Sequence, residues 1–364
     1  LLTVILTSAG VIGGIAVVLG LILALADKFL ADYGEVTLTL NEDKELTVRG
    51  GNSLLYTLFQ QKYFVPSACG GKGTCGYCKL VVTEGTGPYL PTEKIVLTDE
   101  EVAGNVRLSC QVKVRGDMRV QIPAEYFEIG EYEAVLERGE LVTPAIKELT
   151  FRLSDPPQIK FKAGQYVQIQ APDPDTGEAV YRAYSMSSLP SLRETVSFNV
   201  RLEEGGIAST YLHGLKEGDR VKFSGPYGEF LYSRTGRNAV CLATGVGLAP
   251  FRSLIPDMLS SDPNVEVFLF FGARVKGDLY GQTDIEEWEK NPRFHYVPVL
   301  SAEEEKDWGG EWGRMDHVFF DKFFDDHAED EYYLCGAPVV VNSLTAQLVE
   351  RGVPEGRIHF DKFG

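Results

Sequence analysis

A chain of 364 residues that is 44% hydrophobic and 24% charged is long enough for two or three globular domains. Its 52 acidic against 35 basic residues leave a formal net charge of -17, which argues against an electrostatic nucleic-acid footprint. Six unevenly spaced cysteines are too few for a disulfide scaffold and point to metal or redox use in a reducing compartment, the cytoplasm by default.

The first element is "LLTVILTSAGVIGGIAVVLGLILALA", residues 1–26, which contains no charged side chain. As a helix it would reach roughly 39 Å, enough to cross a hydrocarbon core of about 30 Å with some tilt. Ala24-Leu25-Ala26 fits a cleavage pattern, so a signal peptide competes, but the length of the apolar run favours a single membrane anchor. Gly10 with Gly14, and Ala16 with Gly20, have the small-residue spacing that lets another membrane helix approach, although chance glycines explain it equally well. Residues 27–34 read as a linker. From 35 to 125, alternating strands "EVTLTL" and "KELTVRG", a helix "NSLLYTLFQQK" capped by Asn52 or Ser53, and strands "KLVVTEG", "RLSCQVKV" and "MRVQIPA" predict a small α+β sheet domain. From 126 to 235, β-favouring segments separated by Gly and Pro turns predict an antiparallel β-barrel. From 236 to 364, the apolar strands "NAVCLATG", "VEVFLFFGAR", "HYVPVLS" and "EYYLCG" alternate with helices and predict a parallel α/β sheet.

Within the first of these domains, Cys69, Cys75 and Cys78 lie in one glycine-rich loop and Cys110 follows 31 residues after Cys78. Three thiolates from a tight loop and a fourth from a distant strand suit a 2Fe-2S cluster, with two ligands for each iron. Gly70, Gly71, Gly73 and Gly76 would let backbone amides face anionic sulfur. Zinc sites usually take two separated pairs, and a redox pair at Cys75 and Cys78 would leave Cys69 unexplained. The segment 34–122 resembles a β-grasp ferredoxin, with the five-residue first gap of the adrenodoxin and bacterial reductase branches.

In the barrel, "RAYS" at Arg182–Ser185 resembles the RxYS signature of the ferredoxin-NADP reductase superfamily. The chemistry matches: a guanidinium at Arg182 for a pyrophosphate, an aromatic face at Tyr184 for an isoalloxazine, and a hydroxyl at Ser185 for flavin N5. "GGIASTYL" follows, and Gly206, Ser209 and Thr210 are candidates for the flavin pyrophosphate; an ordinary helix cap by Ser209 is the plain alternative. "TGVGLAP", after a strand and before a helix, offers Thr244, Gly245, Gly247 and Pro250 to a dinucleotide pyrophosphate. "FGARVKGDLYG" resembles the element beside adenosine; it has no basic cluster dedicated to a 2'-phosphate, which favours NADH, while Arg274 and Lys276 leave NADPH open. "YLCGAP" resembles the CGxP element, with Cys335 at a strand's carboxyl end near the reacting nicotinamide, whereas Cys241 within its strand reads as core. Phe363 is either the terminal aromatic that covers the flavin in this superfamily or a hydrophobic anchor for the terminus.

Anchor, ferredoxin, flavin barrel and nicotinamide domain in this order resemble the NADH-oxidising F subunits of the sodium-translocating NADH:quinone oxidoreductases, over nearly the whole chain. The Asp-x-Phe-Gly ending belongs to the same resemblance, while "GVGLAP" and "CGAP" depart from the commoner "GAGMAP" and "CGPP". The resemblance implies hydride transfer from NADH to FAD, with Cys335, Ser185 and Phe363 at the reacting centre. Single electrons would then leave through the cluster to membrane subunits that reduce quinone and export sodium. It also implies a single-pass protein of the inner (cytoplasmic) membrane with its domains in the cytoplasm, bound to membrane subunits through the N-terminal helix. The alternatives are a reductase feeding an oxygenase and a membrane-tethered flavin and iron-sulfur sensor.

Overall fold

The computed structural model of the protein describes residues 10, 13–20, 33–41, 43–67, 69–127, 129–177, 179–302 and 308–362. Most of the expected anchor, and Phe363, lie outside them. Residues 13–20 are helical and exposed. Among the described residues no helix is long and apolar enough to cross a membrane. The chain divides into two compact units, Leu1–Val65 with Gly71–Glu128, and Pro66–Gly70 with Ile129–Gly364.

In the first unit, β1 (Glu35–Leu40) and β2 (Lys44–Arg49) form an antiparallel hairpin in which Val36, Leu38 and Leu40 point inward, as period-two alternation requires. β3 (Lys79–Glu84), β4 (Val106–Leu108) and β5 (Met118–Gln121) complete a mixed sheet of order β2-β1-β5-β3-β4, with β5 parallel to β1. Helix α1 (Leu54–Gln60) buries Leu54, Leu55, Leu58 and Phe59. Its cap is Ser53, whose Oγ accepts the Tyr56 N–H at 3.2 Å. Two short helices, α2 (Pro91–Lys94) and α3 (Asp99–Ala103), precede β4. The strand expected over "RLSCQVKV" is cut short: β4 ends at Leu108, and Ser109–Gln111 turn, with the Gln111 N–H bonded to the Leu108 carbonyl at 2.8 Å. Cys110 therefore projects from a turn instead of a strand, free of the alternation that would fix its direction.

The second unit starts with β6 (Gly130–Leu141), β7 (Ile146–Asp155), β8 (Tyr166–Pro172), β9 (Ala179–Ser185), β10 (Thr195–Arg201) and β11 (Arg220–Tyr227), antiparallel in the order β10-β7-β6-β11-β8-β9. An antiparallel bridge between Met186 and Phe198 joins the two edges, which closes the sheet into the expected barrel. Leu149, Phe151, Val167, Ile169, Phe198 and Phe223 fill it. Helix α4 (Ile207–Gly214) covers one end by inserting Leu212.

A parallel sheet of order β15-β14-β13-β12-β16-β17 follows, formed by β12 (Ala239–Thr244), β13 (Val267–Ala273), β14 (Phe294–Leu300), β15 (Glu311–Trp312), β16 (Glu331–Gly336) and β17 (Ile358–Lys362). Its strands are apolar on both faces because helices cover both. Ala239, Cys241 and Ala243 face the core that contains α5 (Leu248–Ser261) and α6 (Gln282–Trp288). Val240 and Leu242 face α7 (Met315–Lys322), α8 (Phe324–His327) and α9 (Pro338–Glu350). Cys241 is core, as expected. Ile146, Ala163, Phe230 and Tyr232 of the barrel region share the α5 core, so barrel and parallel sheet form one packed body.

Candidate functional site

The cysteine loop owes its course to Gly70, Gly71, Gly73 and Gly76, with φ of +62°, +88°, +77° and +75°, a run that side chains would resist. Cys75, Cys78 and Cys110 lie in the first unit, and Cys69 is in the 66–70 segment grouped with the second. Among the described residues none of the four forms a disulfide. A hydrogen bond with Cys110, together with burial, pushes the Cys78 thiol far above its ordinary range. Among the described residues no three His, Cys, Asp or Glu side chains gather around a single metal ion. A 2Fe-2S cluster differs in spreading four thiolates over two irons. The Gln111 amide completes the fit: its Nε2 donates to the Gly71 carbonyl at 3.2 Å and to Cys110 Sγ at 3.5 Å, and its Oε1 accepts from Thr92 Oγ1 at 3.0 Å. A Cβ on Gly73 would come within 2.8 Å of that amide. Just before the turn, the buried Glu93 accepts from Arg107 Nη2 at 2.7 Å and from the Leu108 N–H at 3.2 Å. Burial pushes its carboxyl up, but Arg107 and the backbone N–H groups outweigh this and hold it below the usual carboxylate range.

The second constellation lies where barrel and parallel sheet meet. On β9, Arg182 and Tyr184 are two residues apart and share one face, while Ser185 ends the strand opposite Tyr166 of β8. Arg182 Nη1 donates to the Tyr181 carbonyl at 2.8 Å. Burial raises the Tyr184 phenol, countered in part by Arg182. Two residues past Ser185, the Ser187 hydroxyl is buried with no hydrogen-bond partner among the described residues, a polar atom suited to a bound polar group. Gly206 precedes α4, and a Cβ on it would come within 2.5 Å of Ser209 Oγ. Ser209 Oγ accepts the Glu203 N–H at 3.1 Å and donates to the Gly206 carbonyl at 3.2 Å, so it caps none of the helix N–H groups, and Gly206 at the N-cap has no side chain to do so. That leaves the first backbone N–H groups of α4 for an anion. Thr210 is exposed one residue on.

At the carboxyl edge of the parallel sheet, Thr244 ends β12, Gly245 takes φ +53° and Gly247 packs flat on the end of β16. A Cβ on Gly247 would lie 2.3 Å from the Cys335 carbonyl oxygen, and one on Gly336 would lie 2.2 Å from Thr244 Oγ1. Pro250 is buried in the first turn of α5, where no N–H is needed. Cys335 is buried, and desolvation raises its thiol well above the ordinary range, so it is neutral. Beside it on β17, in register, is Asp361. Ser185 Oγ donates to Asp361 Oδ2 at 3.2 Å, so Ser185, Asp361 and Cys335 come together from barrel strand and parallel sheet. Burial pushes the Asp361 carboxyl up to about 6, while the Ser185 hydroxyl and the Lys362 N–H pull the other way. Sequence reasoning missed Asp361, Gln111 and Arg252, although Asp361 opens the Asp-x-Phe-Gly ending. Arg274 and Lys276 are exposed just past β13.

Three family models match: a 2Fe-2S iron-sulfur cluster binding domain over 38–115, an oxidoreductase FAD-binding domain over 133–232 and an oxidoreductase NAD-binding domain over 241–345. The F subunit of the Na(+)-translocating NADH-quinone reductase of Pseudomonas aeruginosa is 35% identical over 392 aligned positions, spanning 96% of both chains. That of Marinomonas sp. is 35% identical over 98% of both. Among solved structures, Amycolatopsis cytochrome P450 reductase GcoB superposes with a TM-score of 0.72 at 27% identity, covering 90% of this chain and 98% of that one. The ferredoxin reductase of carbazole 1,9a-dioxygenase gives 0.70 at 25% identity, covering 91% and 99%.

Proposed function

The chain belongs to the family of Na(+)-translocating NADH-quinone reductase F subunits, and from that premise we propose that it is the membrane-held NADH-oxidising component of a sodium-exporting complex. When bound, NADH supplies hydride, FAD accepts it and releases electrons singly, and a 2Fe-2S cluster carries them one at a time. Everything else falls to the protein's own residues. Arg182 and the first N–H groups of α4, beside Gly206, Ser209 and Thr210, hold the flavin's phosphates. Tyr184 would face its ring, and Ser185, whose proton goes to Asp361 Oδ2, would present the hydroxyl oxygen beside it. Thr244, Gly245, Gly247 and Pro250 shape the nicotinamide nucleotide's phosphate site. Cys335, buried and neutral, would lie beside the reacting ring and keep its proton. Cys69, Cys75, Cys78 and Cys110 hold the cluster. By family resemblance Phe363, which lies outside the described residues, would cover the flavin, and residues 1–26 would anchor the chain among membrane subunits, with the domains 35–125, 126–235 and 236–364 in the cytoplasm.

The observation that carries this reading is the meeting of Ser185 and Asp361 at 3.2 Å, which joins the flavin strand to the edge of the nicotinamide sheet. Reductases that serve oxygenases have the same modules, as the two solved neighbours do, and they define the second reading. Purification in mild detergent separates the two. Co-purifying membrane subunits and sodium-stimulated NADH:quinone reduction are expected; recovery of the chain with an oxygenase would overturn the proposal.

A further inference from the structure

Arg252 lies five residues past Gly247 on α5, the helix whose start forms the nicotinamide loop, and its guanidinium bonds to residues of other elements. Its side chain is 14% exposed. Nε donates to Asp284 Oδ2 at 2.6 Å on α6, within the nicotinamide domain. Nη1 crosses to the barrel, donating to Glu148 Oε2 on β7 and to Asn199 Oδ1 on β10 at 3.1 Å. Asn199 Nδ2 donates in turn to Glu148 at 3.4 Å, which holds the acceptor pair together. The next residue repeats the connection, since Ser253 Oγ accepts the N–H of Gly164, which precedes β8, at 3.1 Å. Ser253 is fully buried.

One guanidinium thus ties the nicotinamide helix to two barrel strands. Arginine suits this task because its planar fork reaches two domains at once and stays charged. Glu148 and Asp284 keep 25% and 35% of their side-chain exposure, whereas the guanidinium between them keeps 14%, so the two carboxylates hold Arg252 in a fixed place. Whatever moves α5 against the barrel also moves the nucleotide loop at its start against β9. Hydride transfer is sensitive to such movement: a displacement of about 1 Å can slow a reaction about a hundredfold.

We propose that Arg252 is a positioning residue that, through Glu148 and Asn199, fixes the nicotinamide-binding helix against the flavin barrel and so sets the approach of hydride donor to acceptor. This rests on the NADH and FAD assignment above. The test compares E148Q, R252K and D284N with the wild type. Flavin bleaching is followed by stopped flow with NADH and 4-deuterated NADH, and amide hydrogen exchange over 244–254 is measured in flavin-loaded and flavin-free protein. E148Q and R252K should slow the hydride step about tenfold to a hundredfold. They should also raise its isotope effect and speed exchange in α5, with NADH affinity within about twofold of wild type. D284N, which leaves the barrel contacts intact, should lose much less. The exchange measurement needs no cofactor, so a variant that loses flavin still decides the matter. Wild-type rate and exchange in E148Q and R252K, or an equal loss in D284N, would overturn the proposal. A wild-type chain that NADH fails to bleach would instead overturn the assignment on which it rests.

Discussion

Ser185 and Asp361 lie 176 positions apart in sequence and within a hydrogen bond in space. That pairing gives the molecule a pH dependence of definite sign. Asp361 titrates near 6 in the folded chain against an ordinary 3.8, because burial disfavours its charge. Below about pH 4 it is protonated in folded and unfolded chains alike, and its contribution to stability is intact; as pH rises through about 6 that contribution is lost, by at most about 3 kcal/mol. In flavin-free protein, the stability of wild type relative to D361N should therefore fall between about pH 4 and 6 and stay level above. Urea unfolding across that range checks it, and a pH-independent difference would show that Asp361 is not desolvated. Neighbouring Cys335 follows the same logic with no consequence near neutrality, since its raised thiol is protonated throughout.

At the scale of elements, the turn between β12 and α5 was legible and its reason was not. Strand, glycine turn and helix can be read from "AVCLATGVGLAP", but the partner that demands Gly247 is the end of β16, more than eighty residues on. Gly247 has an ordinary helical φ of -61°, so alanine there is penalised by contact and not by conformation, its Cβ falling 2.3 Å from the Cys335 carbonyl oxygen and 2.9 Å from the Gly336 Cα. Gly245 is the converse, with φ +53° and open space around it. G247A should cost about 1–3 kcal/mol and weaken NADH-driven bleaching. G245A should cost about 1 kcal/mol through backbone strain. Thermal melts and NADH titration of the two proteins distinguish contact from conformation; equal behaviour would deny the tight approach. Other elements escaped sequence reading for a related reason. β17, "IHFDK", is a short edge strand with polar positions, and it is defined by its pairing with β16 rather than by its own pattern. The four cysteines were legible because metal spacing is local in three of them. Gln111, Asp361 and Arg252 were not, since an isolated polar residue carries no period and acquires meaning only from what the fold brings beside it.

At the scale of the whole molecule, the continuous apolar run of β12 and the antiparallel run from β6 to β11 made the order of domains readable. The packing of Ile146, Ala163 and Phe230 into the α5 core made barrel and parallel sheet one body, which no local pattern announced. The central claim is that NADH electrons enter at this joined body and leave through the cysteine loop. It is tested most directly by mixing the detergent-solubilised chain with NADH without oxygen and following flavin absorbance and freeze-quenched paramagnetic resonance together, for wild type and C110S. In the wild type the flavin should bleach first and a one-electron 2Fe-2S signal should follow; in C110S bleaching should persist and the signal should be lost or altered. A flavin that NADH leaves oxidised, or an unchanged cluster signal in C110S, would contradict the account.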